Sequence, residues 1–141
     1  MSVKTILENK SDQILSLDAS ETVLNATKKM ADAGVGSVIV LEKNELVGIF
    51  TERDLLKICA KKHLELESIQ LRQVMTKSLT VASADDSVDN VLATMVSKKF
   101  RHMPVMEGDK ILGLISIGDA VKHKMQQAIE EAHILRQYIH G

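Results

Sequence analysis

Aromatic side chains are scarce in this sequence: it has no tryptophan, and one tyrosine and two phenylalanines make up 2% of its residues. A core must therefore be assembled from Val, Ile, Leu, Ala and the seven methionines. The same scarcity argues against single-stranded nucleic-acid binding, which relies on aromatic stacking platforms. Cysteine is limited to Cys59, so no intrachain disulfide can form and a disulfide-stapled secreted scaffold is excluded. No apolar run approaches the roughly 20 residues that span a bilayer, and Met1-Ser2-Val3-Lys4-Thr5 lacks a signal-peptide pattern. Charge of either sign is not in excess: 18 basic against 19 acidic side chains leave a net charge of −1. That balance gives no electrostatic footprint for DNA, RNA or an anionic membrane. The expectation is a soluble, cytoplasmic protein with neither a nucleic-acid nor a membrane partner.

Local catalytic motifs are absent as well. There is no nucleophile–base constellation, no glycine-rich phosphate loop and no carboxylate pair, so catalysis is not expected. Cys59 and His63 stand four apart, a spacing that can hold a metal, but no second pair accompanies them. Leu55, Ile58 and Cys59 fit a core-facing stripe better, and His123, His133 and His140 make no complete metal set.

What is present is a duplication. Shifted by 65 positions, the chain overlays itself without a gap from Asp18 to Lys57: Val23 falls on Val88, Met30 on Met95, Val40 on Val105, Gly48 on Gly113 and Asp54 on Asp119. Each copy has the same periodicity. Val23, Ala26, Met30 and Ala33 recur at helical spacing after Ser20, as Val88, Val91, Leu92 and Met95 do after Asp85; Ser20 and Asp85 are read as the N-caps. Gly34 ends the first of these helices. Strands are expected at 37–41 and 45–50, joined around Lys43-Asn44, and at 102–106 and 110–115, joined around Gly108-Asp109. A second helix opens near Glu52 and near Ile117, and a short strand precedes each copy, around 14–17 and 79–81. The fold class is therefore α+β, two tandem β-α-β-β-α repeats. A half of about 60 residues has a thin core alone, so the two are expected to pack around a pseudo-two-fold axis as one module. Two beads on a linker is the alternative. The segment 61–76 has neither Pro nor Gly and carries Leu64, Leu66, Ile69, Leu71 and Val74, which makes it a packed connection. The boundaries read as 1–70 for repeat 1 with its N-terminal segment and linker, 71–125 for repeat 2, and 126–141 for a C-terminal helical extension.

Each repeat carries G-h-h-[ST]-x-x-D at the second helix: Gly48-Ile49-Phe50-Thr51-Glu52-Arg53-Asp54 and Gly113-Leu114-Ile115-Ser116-Ile117-Gly118-Asp119. The second also has Arg101-His102-Met103-Pro104-Val105 before its strand. In these motifs the chain resembles stand-alone pairs of CBS (cystathionine-β-synthase) domains, from about Val3 to Lys122. The resemblance implies a regulatory, signalling module whose cleft between repeats binds an adenosyl ligand: AMP, ADP, ATP, NAD or S-adenosylmethionine. The motif's physics is compatible with this. A helix N-terminus offers unpaired N–H groups and a positive dipole end to a phosphate. Thr51 or Ser116 adds a hydroxyl, and Asp54 or Asp119, one turn in, can accept from both hydroxyls of a ribose. Adenine needs an apolar slot with backbone amides, which strand residues near Val38 and Met103 could provide; Ser37 is a further nucleotide-binding candidate. The competing reading is that [ST]-x-x-[DE] is only a capping box satisfying helix-end amides.

The two candidate sites differ. Arg101, His102, Met103 and Pro104 face Gly36, Ser37, Val38 and Ile39 in the first copy, and Arg53 faces Gly118. Arg53, Arg101 and His102 are candidate phosphate partners, guanidinium groups being suited to bidentate contacts. Pro104, the one proline, belongs at a strand edge or start. The Asp119 site is expected to be the better occupied. Finally, Val121, Met125, Ala128, Ala132, Leu135 and Ile139 repeat by fours and threes along the last helix, a heptad seam of about three heptads. The helix could simply pack along its own domain, but the resemblance implies a homodimer, CBS pairs commonly dimerising through their helices, and this helix is expected to contribute to the subunit contact. With no effector domain attached, output is expected to pass through an unidentified protein partner, and a purely structural module with an empty cleft is the other reading.

Overall fold

The computed structural model describes residues 2–10, 14–61 and 65–140. The chain divides into two compact units, Asp12–Thr80 and Met1–Ser11 with Val81–Gly141. Each is built on one copy of the repeat.

In the first unit, β1 (Ser16–Asp18) runs parallel to β2 (Ser37–Glu42), which pairs antiparallel with β3 (Glu45–Thr51), giving the order β1-β2-β3. The hairpin turns at Lys43 and Asn44, both at positive φ (53° and 64°), as a tight two-residue turn matched to strand twist requires. In the second unit β4 (Ala82–Ser83), β5 (His102–Glu107) and β6 (Lys110–Ser116) repeat the order. The register irregularity recurs at the equivalent place, between Val40 and Leu41 and between Val105 and Met106. The expected hairpins are thus present; the short first strands lie one to three residues later than the sequence suggests.

Helices α2 (Val23–Ala33) and α5 (Val88–Lys98) cross these sheets and bury Val23, Ala26 and Met30, and Val88, Val91 and Met95. Their caps are Thr22 and Ser87, whose hydroxyls accept from Asn25 N and Asn90 N at 3.1 Å in each case, rather than Ser20 and Asp85. The side chain of Ser20 is taken instead by Asp18 in the preceding turn. Gly34 ends α2 at φ 68°, as expected; in α5 Lys99 adopts the same left-handed conformation at φ 60°. Ala33 is exposed.

Helix α3 (Glu52–Ala60) closes the first copy and α6 (Ile117–His140) the second. Ile58 of α3 is buried, but Cys59 is exposed, so the stripe expected at 55, 58 and 59 stops short of the thiol. His63 and Leu64 lie outside the described residues. Among the described residues no helix is long and apolar enough to cross a membrane.

Two short arms complete the units. In the linker, α4 (Leu71–Val74) hydrogen-bonds to the first copy through Leu71 N to Glu21 O (2.8 Å) and Arg72 N to Ala19 O (3.0 Å). At the N-terminus, α1 (Val3–Asn9) makes the matching bonds to the second copy: Val3 N to Asp86 O (2.9 Å) and Lys4 N to Ala84 O (3.1 Å). Leu71, Val3 and Ile6 are buried. The N-terminal segment therefore packs with residues 82–140, and Leu71–Val74 packs with residues 14–61, which differs from a division at 70/71 that follows chain order. Leu66, Ile69 and Val74 also lie against the first core, so the described part of the linker is packed.

The arms explain the motif glycines. A β-carbon at Gly48 would stand 2.6 Å from Met75 Sδ and 2.9 Å from the Thr76 carbonyl; at Gly113 it would stand 2.6 Å from Leu7 Cδ2. Glycine thus leaves room for each arm beside its strand, against backbone at Gly48 and against the end of a flexible side chain at Gly113.

Candidate functional site

Both [ST]-x-x-D segments sit where the third strand of a sheet passes directly into a helix. Thr51 is the last residue of β3 and the N-cap of α3. Its hydroxyl accepts from Asp54 N at 3.3 Å, while Asp54 Oδ2 accepts from Thr51 N at 3.0 Å. Ser116 and Asp119 repeat this reciprocal pair at α6, with Asp119 N donating to Ser116 Oγ at 3.0 Å and Ser116 N to Asp119 Oδ2 at 2.9 Å. Both are capping boxes, so the structural reading of the motif holds at both positions. A carboxylate has two oxygens and about four acceptor sites, so capping by one oxygen leaves open what the other does.

Here the two sites part. At Asp54 the linker residue Thr76 donates its hydroxyl to Oδ1 at 3.0 Å, and its main chain pairs with Ile49 in both directions (2.9 and 3.0 Å). Asp54 is 7% exposed and both its oxygens are engaged. At Asp119 the partner is Lys10, whose Nζ lies 2.8 Å from Oδ2 and 2.8 Å from the Leu114 carbonyl. The bonds from Lys10 Nζ and Ser116 N both fall on Oδ2, and the side chain is 27% exposed. Burial pushes the Asp119 carboxyl upward, but the hydrogen bond and charge of Lys10 and the bonds from Ser116 outweigh it and hold the pKa below the ordinary carboxylate value. Gly118 leaves that helix opening without a side chain, whereas the first opening has the exposed Arg53.

The neighbouring strand residues are fixed by register. Ser37 lies opposite Thr51, and His102 opposite Ser116. The Gly36 and Arg101 carbonyls accept from Glu52 N (3.0 Å) and Ile117 N (2.8 Å), tying off one helix-end amide in each unit. Val38 and Met103 are buried in their respective cores, and Pro104 is buried opposite Leu114. What Val38 and Met103 offer a ligand is main chain; their side chains are committed to packing. Arg101, His102, Met103 and Pro104 belong to the second unit, as do Ser116 and Asp119; Ser37, Val38, Thr51, Arg53 and Asp54 belong to the first.

Lys10 and Thr76 are site residues that the repeat pattern did not mark. Both lie outside the stretch over which the two copies align. No cluster of three or more His, Cys, Asp or Glu that could hold a metal occurs among the described residues.

Comparison with known proteins bears on this geometry. The family model for the CBS domain matches residues 3–61 and again 71–126. The uncharacterized protein YlbB of Bacillus subtilis is 37% identical over 103 residues, covering 70% of this chain and 68% of that protein. The solved structure of a putative signal-transduction protein with CBS domains from Burkholderia ambifaria superposes with a TM-score of 0.85 at 32% identity, covering 89% of this chain and 95% of the other. The CBS domain pair of protein MJ0100, solved with 5′-methylthioadenosine and S-adenosyl-L-methionine, superposes with a TM-score of 0.79 at 21% identity, over 90% of this chain and 98% of the other, a likeness of fold. The chain spans about a quarter, 26%, of the length of several Arabidopsis thaliana relatives.

Proposed function

The chain belongs to the CBS-domain family, whose paired domains are regulatory modules, and from that premise we propose that it binds an adenosine nucleotide at the Asp119 site as a signal, without catalysis of its own. The observation carrying this reading is the Asp119 carboxylate, 27% exposed and held through Oδ2 by Lys10 and Ser116, beside a cation and a helix opening that Gly118 leaves clear. One ribose hydroxyl donates to Oδ1. The 5′-phosphate is drawn by the Lys10 ammonium and the positive end of α6. Arg101 and His102, at the start of β5 in the same unit, are further phosphate candidates. The ligand class is an adenosyl one, AMP, ADP, ATP or NAD, in keeping with the adenosyl ligands of the MJ0100 pair. The Asp54 site has no carboxylate oxygen to spare and takes ligand weakly or not at all. Occupancy acts on a partner protein only if the ligand binds one arrangement of the chain better than another.

Calorimetric titration of AMP, ATP and NAD into the wild type, Asp119→Ala and Asp54→Ala tests it. Binding by wild type and Asp54→Ala that is lost in Asp119→Ala supports the assignment. Equal binding by all three, or none by any, ends it.

A structural module with an empty site is the second reading, and the two capping boxes favour it. It predicts that both Ala variants lose stability and that no nucleotide raises the melting temperature of the wild type.

A further inference from the structure

Thr76 and Lys10 hold equivalent carboxylates, but they are anchored differently. Thr76 gives its hydroxyl to Asp54 Oδ1 from a short side chain, and two main-chain bonds to Ile49, at 2.9 and 3.0 Å, fix where that side chain stands. The main-chain N–H of Lys10 turns back into its own arm, to Leu7 O at 3.2 Å, where Lys10 caps the end of α1. It meets Asp119 Oδ2 and the Leu114 carbonyl through the ammonium at the tip of a flexible four-carbon stem. Both ends of this ion pair are partly exposed, 29% for Lys10 and 27% for Asp119. Turning the stem aside breaks two side-chain bonds and leaves the helix cap in place.

The ammonium stands where a ribose has to bind. Lys10 Nζ and Ser116 N both fall on Asp119 Oδ2, so a vicinal diol that engages both carboxylate oxygens meets the ammonium there. A neutral nucleoside replaces a charged donor with a neutral one and gives the displaced cation no new acceptor. A nucleotide carries its own anion, and a phosphate oxygen is a charge-assisted acceptor for the ammonium that its ribose has moved. Lys10, Leu114, Ser116 and Asp119 all belong to one unit.

Resting on the reading of Asp119 as a nucleotide site, we propose that Lys10 sets the class of ligand it takes. Lys10 holds Asp119 against neutral adenosyl compounds and yields it to those with a phosphate, which the ammonium then binds. The same side chain is a competitor of the sugar and a partner of the phosphate.

Calorimetric titration of AMP and of adenosine into the wild type and Lys10→Met tests it, with folding checked by circular dichroism. A charge-assisted hydrogen bond is worth roughly tenfold or more in affinity, and the wild type is expected to prefer AMP by at least about that factor. In Lys10→Met the two ligands move in opposite directions. AMP weakens about tenfold, and adenosine tightens several-fold because its competitor is gone. The wild type alone supplies a second measurement: added salt screens the ion pair, so AMP affinity falls while adenosine affinity rises. A lysine with a purely structural part shifts both ligands the same way. That result, an unchanged preference in Lys10→Met, or both wild-type affinities falling together with salt overturns this proposal and leaves the nucleotide site standing. No binding of either ligand by either protein overturns the nucleotide reading itself, and this proposal with it.

Discussion

Lys10 does for Asp119 what Thr76 does for Asp54: its Nζ bonds the carboxylate and the Leu114 carbonyl at 2.8 Å each, where Thr76 serves Asp54 and the Ile49 carbonyl with a hydroxyl and a main-chain amide. The acceptors are equivalent residues of the two copies. One cation has replaced two neutral donors, and this exchange is the main chemical difference between the sites.

The exchange gives the Asp119 site a pH dependence. A carboxylate whose folded pKa is depressed contributes stability at pH values above its unfolded value, about 3.9, and the contribution disappears as pH falls through the folded value. Lys10→Met is therefore expected to cost about 1 kcal/mol at neutral pH, with the cost shrinking below about pH 3.9. Thermal unfolding of both proteins between acid and neutral pH checks this. The exposed Asp18 and Asp89, also lowered, affect both proteins alike. A melting difference equally large in strong acid would mean that Lys10 acts through packing and not through charge.

Thr76→Val should be the more damaging change at the other site, because Asp54 is buried there. The valine keeps the shape and the main-chain pairing but leaves Oδ1 without a donor, an expected loss of about 1–3 kcal/mol. Thr76→Ser restores the hydroxyl and most of the stability. Urea denaturation of the three proteins distinguishes a lost hydrogen bond from a lost methyl group.

The motif glycines should respond unequally to a methyl group. At Gly48 the added carbon meets the Thr76 carbonyl as well as Met75 Sδ, and backbone cannot step aside without breaking the pairing to Ile49. At Gly113 it meets only the tip of Leu7, which has rotamers to spare. Gly48→Ala is expected to cost about 2–3 kcal/mol and Gly113→Ala less than about 1 kcal/mol. Equal melting temperatures for the two variants would contradict this account of why the motif begins with glycine.

Much of the fold was legible because hydrophobic period and turn chemistry are local signals. Met30 and Met95, the Lys43-Asn44 turn and the two strand pairs fall where the repeat places them. The caps were misplaced by two residues because Ser20 and Asp85 are themselves good cap residues, and only the competing Asp18 bond draws Ser20 away. The motif carboxylates were located, but not their partners. The bodies of the copies align at a shift of 65, whereas the arms match at 68, Val3 with Leu71, so the overlay stops before it reaches them. Lys10 carries no mark at all in the sequence, since its acceptors, Leu114 and Asp119, lie at the far end of the chain and only folding brings them together.

If the N-terminal arm is part of the second unit, damage to it should appear there. Val3 is wholly buried against the core that holds Met103, Val105 and Ile115, and its main chain bonds Asp86. Val3→Asp places an unpaired carboxylate in that core, which is costly enough to detach the arm. Leu7 and Lys10 then leave with it, and the edge of β6 beside Gly113 is uncovered. Hydrogen exchange in the full-length variant is expected to quicken across β5 and β6, at 103–115, while β2 and β3, at 38–50, keep their wild-type protection. Lys4→Ala, an exposed position on the same helix, serves as the control and should leave both sheets unchanged. Faster exchange confined to β2 and β3 would assign the arm to the other copy, as chain order alone suggests.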